Sequence, residues 1–132
     1  MAKIKLLNYS ASEIAYKNNL QKNESFAISS RCSYNLGFGD DGRFCRGQMT
    51  LEVSNKEEPE KFSVKVVVVG NFVNEGDSPR DEVHKASYKM LFPHARAMVT
   101  SLSVTANIPP IFFPDIDIDS QSIYLVENPK KL

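Results

Sequence analysis

The feature that most constrains this chain is a change of hydrophobic period between Gly76 and Pro79. Before it, apolar residues recur at every second position. Ile4 and Leu6 alternate with Lys3 and Lys5. Phe26, Ile28, Cys32, Tyr34 and Leu36 share one parity, while Ala27, Ser29, Arg31, Ser33 and Asn35 share the other. Met49, Leu51 and Val53 alternate with Gln48, Thr50 and Glu52, and Phe62, Val64, Val66 and Val68 follow on one parity. Successive side chains of a strand point to opposite faces, so this period predicts half-buried strands. Val67 and Val69 occupy the second parity of the last run, which suits a central strand or an oligomer contact. Beyond Pro79, Val83, Ala86, Met90, Leu91, Ala95, Met98 and Leu102 recur at three- and four-residue spacing, the pattern of one helix face.

The breaks between these runs are equally readable. Gly37 to Gly42 predicts a turn, and the polar run Asn55 to Glu60, with Pro59, ends the third strand. Asp81 and Glu82 suit the positive end of a helix dipole. Pro93 lies inside the helical pattern and removes a backbone donor, so it is expected to kink or divide the helix. The helix is expected to end near Asn107, before Pro109 and Pro110. Strands first and a helix afterwards predict an α+β domain, with one helix layer on an antiparallel sheet. The chain has 132 residues, no internal repeat and no linker, so residues 1–132 read as a single domain with a core of its own.

Lysines plus arginines number 16, as do aspartates plus glutamates, so the formal charge is zero. No excess points to nucleic acid or to an anionic membrane. The N-terminal stretch lacks an apolar h-region, and the longest aliphatic run, Val66 to Val69, is too short to span a bilayer. A cytoplasmic location without direct membrane insertion is therefore expected. Cys32 and Cys45 fit such a compartment as reduced thiols. They could face each other across a hairpin centred near Phe38 and Gly39, but the Asp41-Gly42 turn signal favours a different register.

No constellation suggests catalysis. On one helix, His84 and His94 would be separated by about 15 Å, too far to share a metal. A nucleophile elbow, a phosphate-binding glycine loop and a paired Cys-x-x-Cys are all missing from the sequence. The Asp115-x-Asp117-x-Asp119 spacing opens like a calcium loop. However, Ser120 stands where the turn needs glycine and Val126 where a bidentate glutamate is needed. The expected state is an extended segment with Ile116 and Ile118 inward and the carboxylates in water. The chain is read as a non-enzyme with no cofactor and no metal site.

A continuous apolar stretch follows the helix: Ile108, Pro109, Pro110, Ile111, Phe112, Phe113 and Pro114. Paired prolines favour extended backbone, in which the adjacent Phe112 and Phe113 point to opposite sides. Two readings stay open. The stretch is either a loop folded onto its own sheet or the apolar wall of a groove or interface.

The order Leu91-Phe92-Pro93-His94-Ala95-Arg96, then Met98, Leu102 and Ile108-Pro109-Pro110-Ile111, resembles the SecB chaperones. That family carries a Leu-Phe-Pro-Tyr-Ala-Arg helix followed by a glycine, an aromatic and a proline-rich segment. The resemblance implies a four-stranded antiparallel sheet with a Greek-key crossover and a long helix packed on one face. It also implies a homotetramer, built as a dimer of dimers, that holds non-native polypeptides in apolar grooves without ATP. By the same likeness, clients would meet Phe72, at the end of the last strand, together with Ile108, Ile111, Phe112, Phe113, Ile116 and Ile118. Export chaperones of the family pass clients to the SecA motor. SecB-like proteins also serve toxin–antitoxin systems, where the client is an antitoxin. This chain departs from the pattern in having His94 for tyrosine, Asn107-Ile108 for the glycine–aromatic pair, and a neutral rather than acidic balance. Both partner choices stay open on the sequence, as does a scaffold or adaptor that keeps the fold without chaperone work.

Overall fold

A computed structural model describes residues 3–20, 28–39, 43–56, 58–76, 78–106 and 108. Four strands, β1 (Ile4–Asn18), β2 (Ile28–Phe38), β3 (Phe44–Asn55) and β4 (Phe62–Asn74), precede one helix, α1 (Arg80–Thr105). A 3-10 turn at Pro59–Lys61 joins β3 to β4. The sheet order is β1-β4-β3-β2 with every pairing antiparallel. β2, β3 and β4 form a meander, and β1 returns beside β4, which is a Greek-key arrangement. The fold is thus the expected α+β sheet with a helix on one face.

The doubly apolar β4 is central, one of the two placements its valine parities suit. Val64, Val66 and Val68 are fully buried towards the helix, and Val67 on the other parity is also buried. Val64, Val66 and Val68, together with Tyr34, Leu36, Met49, Leu51, Val53, Phe62 and Phe72, meet Val83, Tyr88, Leu91, Ala95 and Val99 in one core. Burying each such aliphatic side chain contributes about 1.5–3 kcal/mol before entropy is counted.

Three local expectations change. Pro93 does not divide the helix, which runs unbroken from Arg80 to Thr105. The buried neighbours Leu91, Phe92, Ala95 and Val99 supply packing that outweighs a penalty of ~3 kcal/mol for an interior proline. Gly37 and Phe38 belong to β2 rather than to the turn, because they pair with Arg46 and Cys45. β1 runs far past Leu6, to Asn18. Its alternation is hidden by register shifts at Leu7 and Ser12, each of which moves one extra residue into the strand and reverses the parity. Following the register, Ile4 and Leu6, then Tyr9 and Ala11, then Ile14 and Tyr16 lie on the helix side of the sheet.

α1 crosses the sheet from β2 towards β1. Arg80 lies over the Phe38 ring at 4.7 Å, Ser87 accepts from the Tyr34 hydroxyl, and His94 stacks on Tyr9 with centroids 4.2 Å apart. Gly70 makes this crossing possible, since a Cβ there would come within 2.9 Å of Leu91 Cδ1. Among the described residues, no helix is long and apolar enough to cross a membrane.

Candidate functional site

The strand register divides the helix side of the sheet into rows. Near the first turn of α1 the rows are Leu6–Phe72–Cys45–Phe38 and Tyr9–Gly70–Gly47–Leu36. Further along the strands they become Ile14–Val66–Leu51–Cys32 and Tyr16–Val64–Val53–Ser30, followed by the separate pairs Asn18–Phe62 and Asn55–Ile28. The middle of these last rows is buried, but both ends carry exposed apolar side chains. Ile14 is 57% exposed and Tyr16 38% on β1, and Ile28 is 46% exposed on β2. Among the described residues β1 and β2 are also the two edge strands, so the apolar side chains stand at the sheet's two margins. Such an edge can accept another extended chain by strand addition.

The helix adds an aromatic wall beside β2. Tyr88 and Phe92 stack with centroids 5.3 Å apart, and Tyr34 meets Tyr88 edge-on at 5.7 Å. The Cys32 thiol lies 3.9 Å from the Tyr88 hydroxyl. Burial pushes that thiol up to about 11 against the ordinary 9, so it is protonated at neutral pH. Lys85, Lys89 and Arg96 share a helix flank with Phe92, and the Arg96 guanidinium lies 5.4 Å from the Phe92 ring centre. His94 and Met90 fall on the other flank, towards β1.

The residues expected to meet a client are distributed unevenly. Phe72 has no exposed surface; it sits on the helix side of β4, inside the core, and cannot touch a client while α1 covers it. Ile108 packs partly buried against the same core, and its N–H donates to the Ser103 carbonyl at 3.1 Å. Ile111, Phe112, Phe113, Ile116 and Ile118 lie outside the described residues, as does the Asp115–Asp119 run. The exposed apolar residues of β1 were not anticipated. Ile14 and Tyr16 have the right spacing, but the two bulges conceal their relation to Ile4 and Leu6.

The opposite sheet face mixes buried Val67 and Val73 and exposed Phe44 with polar side chains. Arg46 donates to Asn71 at 3.1 Å, and Asn71 donates to Asn8 at 2.7 Å, in a chain of side chains across β3, β4 and β1. Lys65 pairs with Glu13 at 3.5 Å and Arg31 with Glu52 at 3.4 Å on the same face. The two histidines occupy separate environments. His84 is fully buried against Tyr34, with ring centroids 5.1 Å apart, and burial pushes its imidazole down from 6.5 to about 4. Among the described residues, no group of three or more histidine, cysteine, aspartate or glutamate side chains is placed to hold a metal ion. The cysteines do not face each other: Cys32 is opposite Leu51 and Cys45 opposite Phe38, and both are free thiols.

No family model matches the chain, and no curated protein matches it by sequence. Solved structures do match by shape. The SecB-like chaperone Rv1957 of Mycobacterium tuberculosis, determined in complex with a ChAD peptide from the HigA1 antitoxin Rv1956, superposes with a TM-score of 0.67. The match covers 86% of this chain and 88% of that one at 7% sequence identity. A protein of unknown function from Streptococcus agalactiae gives a TM-score of 0.49 at 10% identity, covering 87% of this chain and 99% of that one. The four-stranded antiparallel sheet with one long helix is the fold shared with the M. tuberculosis neighbour.

Proposed function

We propose that this protein is an ATP-independent holdase that binds extended, non-native polypeptides on the helix side of its sheet. The observation that carries the reading is the likeness to the SecB-like chaperone, which extends over nearly the whole of both chains. Exposed Ile28 on the edge strand β2 gives the apolar contact such a role needs, while exposed Ile14 and Tyr16 on β1 suit a subunit contact. The client site is completed by Ile108, Ile111, Phe112, Phe113, Ile116 and Ile118. Aggregation of an unfolded client, followed by light scattering with and without nucleotide, tests the reading. Stoichiometric protein is expected to delay aggregation equally in both conditions, and no delay together with no binding of unfolded peptide would sink it. Phe112→Asp and Phe113→Asp are expected to weaken client binding while the far-ultraviolet spectrum stays unchanged.

A dedicated antitoxin chaperone is the narrower form of this reading. It is favoured by the antitoxin peptide held by the M. tuberculosis neighbour and by the neutral charge of this chain. A pull-down from cells, analysed by mass spectrometry, separates the two forms. One antitoxin supports the dedicated role, while many unrelated precursors together with SecA support export. The protein works in the cytoplasm in either case, and it assembles as a homotetramer in which the long β1 edge is covered by another subunit.

A further inference from the structure

The outer face of the sheet, away from α1, divides its charges unevenly. Towards one end Lys65 pairs with Glu13 at 3.5 Å and Arg31 with Glu52 at 3.4 Å. At the other end the register places Lys5, Val73 and Phe44 in one row and Asn8, Asn71 and Arg46 in the next. Lys5 and Arg46 are exposed, and among the described residues neither has an ion-pair partner. Phe44 keeps 47% of its surface exposed beside buried Val73. The Arg43 guanidinium lies 5.6 Å from the Phe44 ring centre, so that cation is already engaged.

Arg46 differs from an ordinary surface arginine in being held. Its Nε donates to Asn71 Oδ1 at 3.1 Å, and Asn71 Nδ2 donates to Asn8 Oδ1 at 2.7 Å. This chain of bonds spans three strands and fixes the direction of the guanidinium. With Nε occupied, the two terminal amino groups remain, and a planar carboxylate accepts from such a pair in bidentate fashion. Arg46 and Phe44 are two residues apart on the same face of β3, about 6–7 Å along the strand. An extended peptide has the same repeat, so a carboxylate and an apolar side chain at positions i and i+2 reach both at once. Lys5 stands two strands from Phe44, roughly 10 Å away, within reach of a second acidic residue.

From this geometry we propose that the outer corner formed by Arg46, Phe44 and Lys5 binds an acidic segment of a partner protein, one with an apolar residue two positions from a carboxylate. The charges are complementary, and basic segments are repelled by the same two cations. Phe44 supplies the apolar contact that separates such a segment from one that is merely acidic. The corner lies on the face opposite the proposed client surface. It therefore stands without the holdase reading, and a client and this partner can be held together.

The test uses the full chain and short labelled peptides that repeat the unit Asp-Gln-Phe, with Asn or Lys replacing Asp in the controls. Fluorescence anisotropy at low salt is expected to rank them Asp, Asn, Lys, with about tenfold between the first two. The spread should shrink at ~0.5 M salt, where exposed charges are screened within ~4–5 Å. Arg46→Gln and Phe44→Ala are each expected to weaken the Asp peptide about tenfold. Arg46→Lys keeps the charge without the fork and is expected to restore little of the loss. Asn71→Ala leaves Arg46 in place but unheld, and is expected to weaken binding several-fold. Should a β3 variant lose its circular dichroism spectrum, Lys5→Gln on β1 gives the same reading. No binding of the Asp peptide, or equal affinity for the Asp and Asn peptides, overturns the proposal. So does displacement of the peptide by an unfolded client, which would place it on the helix side. A single-stranded oligonucleotide that binds more tightly through the same residues would give the corner to nucleic acid and overturn it as well. Asp40→Asn/Asp41→Asn is expected to change nothing. A tenfold gain would mean that the chain's own turn carboxylates occupy the corner, which overturns the assignment to a partner.

Discussion

The Tyr34 hydroxyl donates to Ser87 Oγ at 2.6 Å, and Ser87 in turn donates to the His84 carbonyl at 2.9 Å. This relay is buried and ties the first turns of α1 to β2 across the core. Burial raises the Tyr34 hydroxyl above its ordinary range, and the bond to Ser87 only partly opposes that shift, so the donor proton is always present. Ser87→Ala leaves the hydroxyl buried without its acceptor and is expected to cost about 1–3 kcal/mol. Tyr34→Phe removes the donor and is expected to cost about 1 kcal/mol, with the double variant less destabilised than the sum. Urea titrations of the four proteins form the cycle, and strict additivity would argue against the relay.

Gly47 exists to let Tyr34 reach across. A Cβ at position 47 would approach within 2.8 Å of the Tyr34 ring. Gly47→Ala must therefore displace a ring held by Ser87 on one side and His84 on the other. A loss of about 1–3 kcal/mol is expected, as for other overpacked cores, and a neutral result in urea would show that the ring can retreat.

These two examples mark where the sequence was legible and where it was not. The parity of Tyr34, Leu36, Met49, Leu51, Val53, Val64, Val66 and Val68 located the helix-facing side of three strands, because burial on one face imposes a period of two. The second parity of β4 allowed a central strand or an oligomer contact, and β4 lies centrally. The relay was invisible, since a hydrogen bond between Tyr34 and Ser87 joins residues far apart in the chain and leaves no period. The course of β1 beyond Leu6 was invisible for a different reason. Extra residues at Leu7 and Ser12 reverse its parity twice, so a correct strand reads as noise. Phe72 was misplaced among client contacts because nothing in its own neighbourhood reveals that α1 covers it.

The buried His84 makes stability depend on pH in a defined direction. Desolvation lowers its pKa from 6.5 to about 4 in the folded chain. Between those values the unfolded chain holds a proton that the folded chain refuses, so stability falls as the pH drops from about 6.5 towards 4. Below both values this group adds no further change. The full loss is of the order of 3 kcal/mol. Carboxylates titrate in the same range, so the readout is the difference between wild type and His84→Leu in urea at pH 7, 5.5 and 4.5. Identical pH slopes would remove His84 as the cause.

The two thiols are expected to be unreactive in the folded chain. Burial pushes both Cys32 and Cys45 up to about 11, so at neutral pH only about one thiol in ten thousand is ionised. Cys45 is only 1% exposed, whereas Cys32 is partly open. A disulfide-exchange reagent should label Cys32 slowly, Cys45 more slowly still, and both at once in urea. Fast labelling of Cys45 without denaturant would mean that β3 opens around Cys45 far more readily than its burial there implies.

The edge strand β1 presents a liability that association would remove. It pairs only with β4 among the described residues, is 15 residues long, and carries Leu7, Tyr9, Ile14 and Tyr16 with 38–57% of their surface exposed. Lone proteins protect such edges with short strands, inward charges or proline, and this stretch contains no proline. Its bulges at Leu7 and Ser12 twist the edge without covering it. A second copy pairing along β1 would satisfy the free backbone groups and bury these side chains in one step. Ile14→Lys places a charge in that contact while remaining harmless in a monomer, where the side chain already meets water. Light scattering coupled to size exclusion is therefore expected to give an oligomer for wild type and a smaller species for Ile14→Lys, with an unchanged circular dichroism spectrum. The same oligomer in both proteins would place the contact elsewhere and leave β1 as an open edge for clients.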